Sequence, residues 1–118
     1  MPATLFWKST CTTCREARGV ILGLDATVTD RNYQKQPLTA SGVREILAAA
    51  GSVPAVLNTR HAVAKEHGWK VKPPTADEFV AAVLQDSNVI RRPILLGAGR
   101  AVVGMHEADW RSVLSLGV

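Results

Sequence analysis

The chain has 118 residues and a mass of 12.7 kDa, which is the size of one domain of ~100–150 residues built on one core. Hydrophobic residues make up 47% and charged residues 20%, with mean hydropathy +0.07, a globular balance that excludes wholesale disorder and collagen-like composition. Fourteen Lys/Arg against ten Asp/Glu give +4, but the basic residues are scattered, which points to local anion handling and not to a duplex-binding face.

Ala3 to Trp7 is a short β-type run, and Ser9-Thr10 supply a turn. From Thr12 the period becomes helical, with Ala17, Val20, Ile21 and Leu24 three and four apart and Asp25 as the stop. Ala26-Thr27-Val28-Thr29 alternates like a second strand, and 31–37 reads as a linker. Thr39 is a plausible N-cap for a helix through Val43, Ile46 and Leu47, closed by Gly51. A short helical stretch follows from Arg60 to His67. Thr75 with Glu78 three residues on makes a capping box for a helix carrying Phe79, Val80, Val83 and Leu84. Ile94-Leu95-Leu96 and Arg100 to Val103 flank Gly97-Ala98-Gly99 as a hairpin, and a last helix is expected over 107–116.

The order is β-α-β, then helices, then β-β-α. The first unit gives two parallel strands by a right-handed crossover, and the hairpin adds antiparallel strands to the same sheet. The expected fold is α/β: a thioredoxin-like mixed four-stranded sheet in a single domain over 1–118, with an inserted helical subdomain over about 39–86. No apolar run reaches the ~20 residues of a membrane span. No basic start with a long apolar stretch marks a secretory signal, so a cytoplasmic protein is expected.

Two cysteines, Cys11 and Cys14, stand in Cys-Thr-Thr-Cys at the turn from first strand to first helix. A secreted disulfide scaffold would spread four or more cysteines along the chain. A helix N-terminus and nearby cations favour the thiolate. Arg15 lies one turn on, and Lys8 and Arg18 add positive potential. Cys11 is therefore the expected nucleophile and Cys14, one helical turn away, the resolving thiol. Two buried thiols without a joint role, or half of a zinc site, are the alternatives. The zinc site would need further ligands, and His61 and His67 miss the usual spacing. Arg92-Pro93 precedes the third strand, where a proline must sit at the strand's start. In a thioredoxin-like layout that loop faces the cysteines, so Arg92 would aim its fork at an oxyanion or a partner's backbone, with Pro93, often cis there, beside it. Arg60 is either a second anion clamp or a cap on preceding carbonyls. Trp7, Trp69 and Trp110 read as packing residues, and His61, His67 and His106 as surface residues.

The segments Cys11 to Arg18, Pro37-Leu38-Thr39, Leu57-Asn58-Thr59-Arg60, Ile90 to Ile94 and Val103-Gly104 through Trp110 resemble the ArsC/Spx/YffB family, in order and over nearly the whole chain. The resemblance implies a thioredoxin fold with a helical insert and a catalytic or redox-sensing Cys11. Arsenate reductases of this family use one cysteine, three arginines around the oxyanion, and glutathione with glutaredoxin. Arg92 matches one arginine; Asn58 and Met105 stand where the others would be. The Leu-Asn-Thr-Arg segment is closer to the YffB branch, and Cys-x-x-Cys is closer to Spx, a redox-sensing regulator that binds the C-terminal domain of the RNA polymerase α subunit. Gly51 falls near a glycine used for that contact. The expectation is a thiol–disulfide oxidoreductase without bound cofactor, fed by glutathione, glutaredoxin or a thioredoxin-like donor. An Spx-like regulator is the alternative.

Overall fold

A computed structural model describes residues 3–114. The chain forms two compact units: the stretch to Gln36 joined with that from Arg92, and Pro37–Arg91 between them.

The first unit carries four strands and two helices. Strand β1 (Thr4–Trp7) leads into helix α1 (Thr12–Leu24), and strand β2 (Thr29–Asn32) follows. After the second unit come β3 (Ile94–Gly97), β4 (Arg100–Val103) and helix α5 (Glu107–Val113). The sheet order is β2-β1-β3-β4. β1 is parallel to β2 and antiparallel to β3, with Phe6 opposite Ile94, and β3 pairs antiparallel with β4. Leu5, Trp7, Leu95 and Val102 form one core with Cys14, Ala17 and Ile21 of α1 and Trp110 and Val113 of α5. Both helices therefore cover the same face of the sheet. The hairpin turns on Ala98 and Gly99, both at positive φ (52° and 72°), the sign that a two-residue turn needs to match strand twist.

Strand β2 begins three residues later than the alternation of Ala26 to Thr29 predicts. The side chain of Asp25 intervenes: its Oδ1 accepts from the Thr27 amide at 2.9 Å and the Thr27 hydroxyl at 2.6 Å. The Val28 amide then donates to the Asp25 carbonyl at 3.3 Å. This local turn holds 25–28 off the sheet, so pairing starts at Thr29 opposite Thr4. The segment 31–37, expected as a linker, thus holds the end of β2 and the buried Tyr33.

The second unit contains α2 (Ala40–Ala50), α3 (Ala62–Glu66), α4 (Ala76–Gln85) and a 3-10 turn at Ser87–Val89. Thr39 caps α2 by accepting from the Gly42 amide at 3.0 Å, and Gly51 closes it at φ 89°. The Thr75–Glu78 capping box forms at α4. The unit runs wider than 39–86: Leu57 bridges Ile90, the Asn58 amide donates to Val89, and the Arg91 amide donates to Val56. These bonds stitch 88–91 into the insert. Trp7, Trp69 and Trp110 are buried. The expected end of α5 at Leu116 lies outside the described residues. Among the described residues no helix is long and apolar enough to cross a membrane.

Two glycines give opposite predictions. A Cβ at Gly97 would lie 2.9 Å from Ala3 Cβ and 2.9 Å from Val113 Cγ1, so Gly97→Ala should cost about 1–3 kcal/mol through overpacking. A Cβ at Gly19, exposed within α1, meets nothing within 4 Å, so Gly19→Ala should gain up to ~1 kcal/mol from helix propensity. Urea unfolding of both variants checks the pair.

Candidate active site

Three chain segments converge at one edge of the first unit. The first leaves the C-terminal end of β1 and turns into α1: the Cys11 amide donates to the Lys8 carbonyl at 3.0 Å, and the Arg15 amide to the Cys11 carbonyl at 3.1 Å. The second is the end of the parallel strand β2. There the Tyr33 amide donates to the Trp7 carbonyl at 2.9 Å, and Asn32 Oδ1 accepts from the Ser9 amide at 3.3 Å. The third is the start of the antiparallel strand β3, where Arg92-Pro93 is a cis peptide and the Pro93 carbonyl accepts from Gly104 at 2.9 Å. The carboxyl ends of parallel strands are where α/β sheets place ligands.

Cys11 is the N-cap of α1, and its sulfur accepts from the Cys14 amide at 3.4 Å. Residues Thr12 to Leu24 give the helix 13 residues, enough aligned dipoles to favour an anion at this end. Partial burial pushes the Cys11 thiol up. Hydrogen bonds from the Cys14 thiol and amide and from Arg92, with the Arg92 charge, outweigh it, and the net displacement is below the ordinary value of 9.0. Cys14 moves the other way. It is 0% exposed, and burial pushes its thiol up to about 12 despite a backbone hydrogen bond from Lys8, with the neighbouring Cys11 adding to the rise. Neither cysteine is bridged. One helical turn therefore holds an ionisable, partly exposed sulfur and a protonated, buried one, the asymmetry needed for attack and resolution.

The remaining residues expected at the site have distinct placements. Arg92 reaches both sulfurs through its charge. Pro93 lies buried beside it at the start of β3. Arg15 turns back on the loop, donating to the Ser9 carbonyl at 2.8 Å and to Thr12 Oγ1 at 3.3 Å. Arg18 forks onto Asp30 Oδ2 at 2.9 and 2.7 Å and lies over the Trp7 ring at 5.2 Å, while Trp7 Nε1 also donates to Asp30. Lys8 contributes its backbone to both cysteines. Arg60 lies exposed in the second unit, on a turn organised by Asn58, whose Oδ1 accepts from the Arg60 amide at 3.1 Å.

Tyr33 is the site residue that sequence reasoning passed over. Its ring is 4% exposed, and its hydroxyl faces the charges of Arg92, Cys14 and Cys11. Placing β2 correctly would have exposed the signal: an aromatic residue directly after the strand that neighbours β1. His61, expected at the surface, is half-buried. Its Nδ1 accepts from the Val63 amide at 3.1 Å to cap α3, which leaves Nε2–H to donate to Asp86 Oδ2 at 3.0 Å. Among the described residues no group of three His, Cys, Asp or Glu could hold a metal ion.

The charge of Arg92 sets a pH prediction. Alkylation of Cys11 by iodoacetamide should rise with pH to a plateau, with its midpoint below that of an ordinary thiol. Arg92→Leu removes a stabiliser of the thiolate, so the midpoint should move up and the rate at pH 7 fall severalfold. Peptide mapping should find Cys14 unmodified in the folded protein across neutral pH.

Comparison with known proteins agrees with this architecture. The model of the ArsC family matches residues 6–113. The global transcriptional regulator Spx 1 of Lactococcus lactis subsp. lactis is 27% identical over 111 residues, spanning 93% of this chain and 87% of its own. Among solved structures, a YFFB protein superposes with a TM-score of 0.77 at 19% identity, covering 95% of this chain and 98% of that one. An arsenate reductase from Vibrio cholerae gives 0.71 at 18% identity, over 99% and 98% of the two chains. These two structures share the thioredoxin-like fold: a mixed four-stranded sheet with its helices and insert. With the paired cysteines at the head of α1 and a family match across nearly the whole sequence, the chain belongs to the ArsC family.

Proposed function

We propose that this protein is a thiol–disulfide oxidoreductase in which Cys11 attacks and Cys14 resolves. The observation that carries the reading is the opposed displacement of two sulfurs one helical turn apart: Cys11 held below the ordinary thiol range at the N-cap by its hydrogen bonds and Arg92, Cys14 pushed up to about 12 by burial. In the first step the Cys11 thiolate attacks a sulfur of a substrate disulfide. A mixed disulfide forms and the other substrate sulfur leaves as thiolate. Cys14 then gives up its proton and attacks Cys11, closing the intramolecular disulfide and releasing the second thiol. An external thiol donor (glutathione, glutaredoxin or a thioredoxin-like protein) reduces the pair and becomes a disulfide itself. Loss of the Cys11 charge helps the second step, because that charge contributes to holding Cys14 protonated. Arsenate reduction is a narrower form of the same chemistry. Asn58 and Met105, where the resemblance puts arginines, work against it.

The Spx relatives favour a second reading, in which the pair senses oxidant and the protein binds the C-terminal domain of the RNA polymerase α subunit. The two readings share the cysteine chemistry and differ in the partner.

The enzyme reading predicts that Cys14→Ser accumulates a mixed disulfide on Cys11 with oxidised glutathione, seen as a glutathione adduct by intact mass. Cys11→Ser should be inactive in disulfide reduction. Full activity of Cys11→Ser would overturn it. The regulator reading predicts capture of the purified α C-terminal domain in one redox state of the protein and not the other. Absence of capture in both states would remove it.

A further inference from the structure

Beside Cys11 lie two buried donor atoms whose hydrogen-bonding capacity is not met. Tyr33 Oη and Arg92 Nε are both shielded from water, and neither has a hydrogen-bond partner of normal geometry among the described residues. The Arg92 guanidinium acts on the Tyr33 hydroxyl by its charge and by a side-chain hydrogen-bonding contact, but that contact lacks the geometry that would satisfy the hydroxyl. A buried unsatisfied donor costs stability, and two at one reactive sulfur imply an acceptor that arrives during the reaction. Topology brings them there: Tyr33 follows the end of β2, Arg92 precedes β3, and both strands flank β1, whose end feeds the Cys11 loop.

We propose that Tyr33 is a substrate-contacting residue of this site, its hydroxyl and Arg92 Nε forming a two-donor seat for the oxygens of a hydroperoxide attacked by Cys11. This rests on the Cys11–Cys14 reading above and names a substrate class for it. Charge selects the hydroperoxide over a divalent oxyanion. Of the other arginines in this unit, Arg15 is engaged by Ser9 and Thr12, Arg18 by Asp30, Arg100 by Ser112 and Arg111 by Glu107, and Arg92 is the cation whose charge bears on both sulfurs. One guanidinium balances one thiolate, and a divalent anion would bring two further negative charges into a partly buried site. A neutral hydroperoxide brings none, and it presents two oxygens to two donors. Burial raises the Tyr33 hydroxyl above its ordinary range, so it keeps its proton and donates.

The Cys11 thiolate attacks the terminal oxygen of R–O–OH. An S–O bond forms as the O–O bond breaks, and sulfur is oxidised by two electrons to the sulfenic acid. RO⁻ departs under the Tyr33 and Arg92 donors and takes a proton from water to become the alcohol. The Cys14 thiol then condenses with Cys11–S–OH, giving the disulfide and water, and a dithiol donor restores both thiols as it becomes a disulfide.

The test compares wild type with Tyr33→Phe in two reactions of Cys11 under stopped flow: oxidation by cumene hydroperoxide and alkylation by iodoacetamide, which carries no oxygen at the attacked carbon. Tyr33→Phe should slow the peroxide reaction about tenfold, the effect of one hydrogen bond of ~1.4 kcal/mol. It should leave alkylation within a factor of two and melt no lower than wild type. Equal peroxide rates in the two proteins would overturn the proposal while leaving the cysteine pair intact. A wild-type Cys11 inert to both reagents would instead overturn the underlying redox reading. Inorganic phosphate at millimolar concentration should not protect Cys11 from alkylation; protection would assign the seat to a divalent oxyanion and contradict the hydroperoxide.

Discussion

The site depends on one interaction: the Cys11 sulfur standing in for the missing acceptor at the head of α1. The first amides of a helix have no partner in their own ladder. Here a sulfur fills that place, accepting from Cys14 at 3.4 Å, and the backbone that frees the amide also stabilises the thiolate. Capping and activation are one contact. The Lys8 carbonyl fixes the Cys11 backbone before the helix, and Asn32 ties the Ser9 amide to the end of β2, so the sulfur is held by the sheet. The helix face that begins with Cys14 continues through Ala17 and Ile21 into the core. Packing of α1 therefore sets the depth of Cys14 as well as the position of Cys11.

Much of this was legible in the sequence because local chemistry dictated it. The apolar spacing of Ala17 and Ile21, the stop at Asp25, the Thr39 and Thr75 caps, the left-handed Gly51 and the Ala98-Gly99 turn each depend on residues within a few positions. What failed was decided by competition or distance. Asp25 captures Thr27 in a turn that hydropathy alternation does not register, so β2 starts later than the alternation predicts and Tyr33 falls in a segment that reads as a linker. Arg15 looked like the activating cation because it lies one turn from Cys11. The loop carbonyl of Ser9 holds it, while Arg92, 81 positions away in sequence, supplies the charge through the sheet. Arg92 was legible only because strand order and the Pro93 position placed its loop beside the cysteines.

The opposed thiols are compatible with both readings proposed for the pair. A sulfur ionised at a helix head and a protonated partner beneath it can pass electrons to a substrate or record the passage of an oxidant. Under the two proposed readings the cysteine chemistry is shared and the partner differs.

The most direct measurement of the central claim is a site-resolved NMR titration of protein labelled with 13Cβ-cysteine. Cys11 should show its ionisation shift below pH 9.0 and Cys14 none up to that pH, consistent with folding favouring the thiolate at one position and the thiol at the other. Two resonances titrating together near 9.0 would contradict the account, because the helix head and Arg92 would then exert no hold on the sulfur.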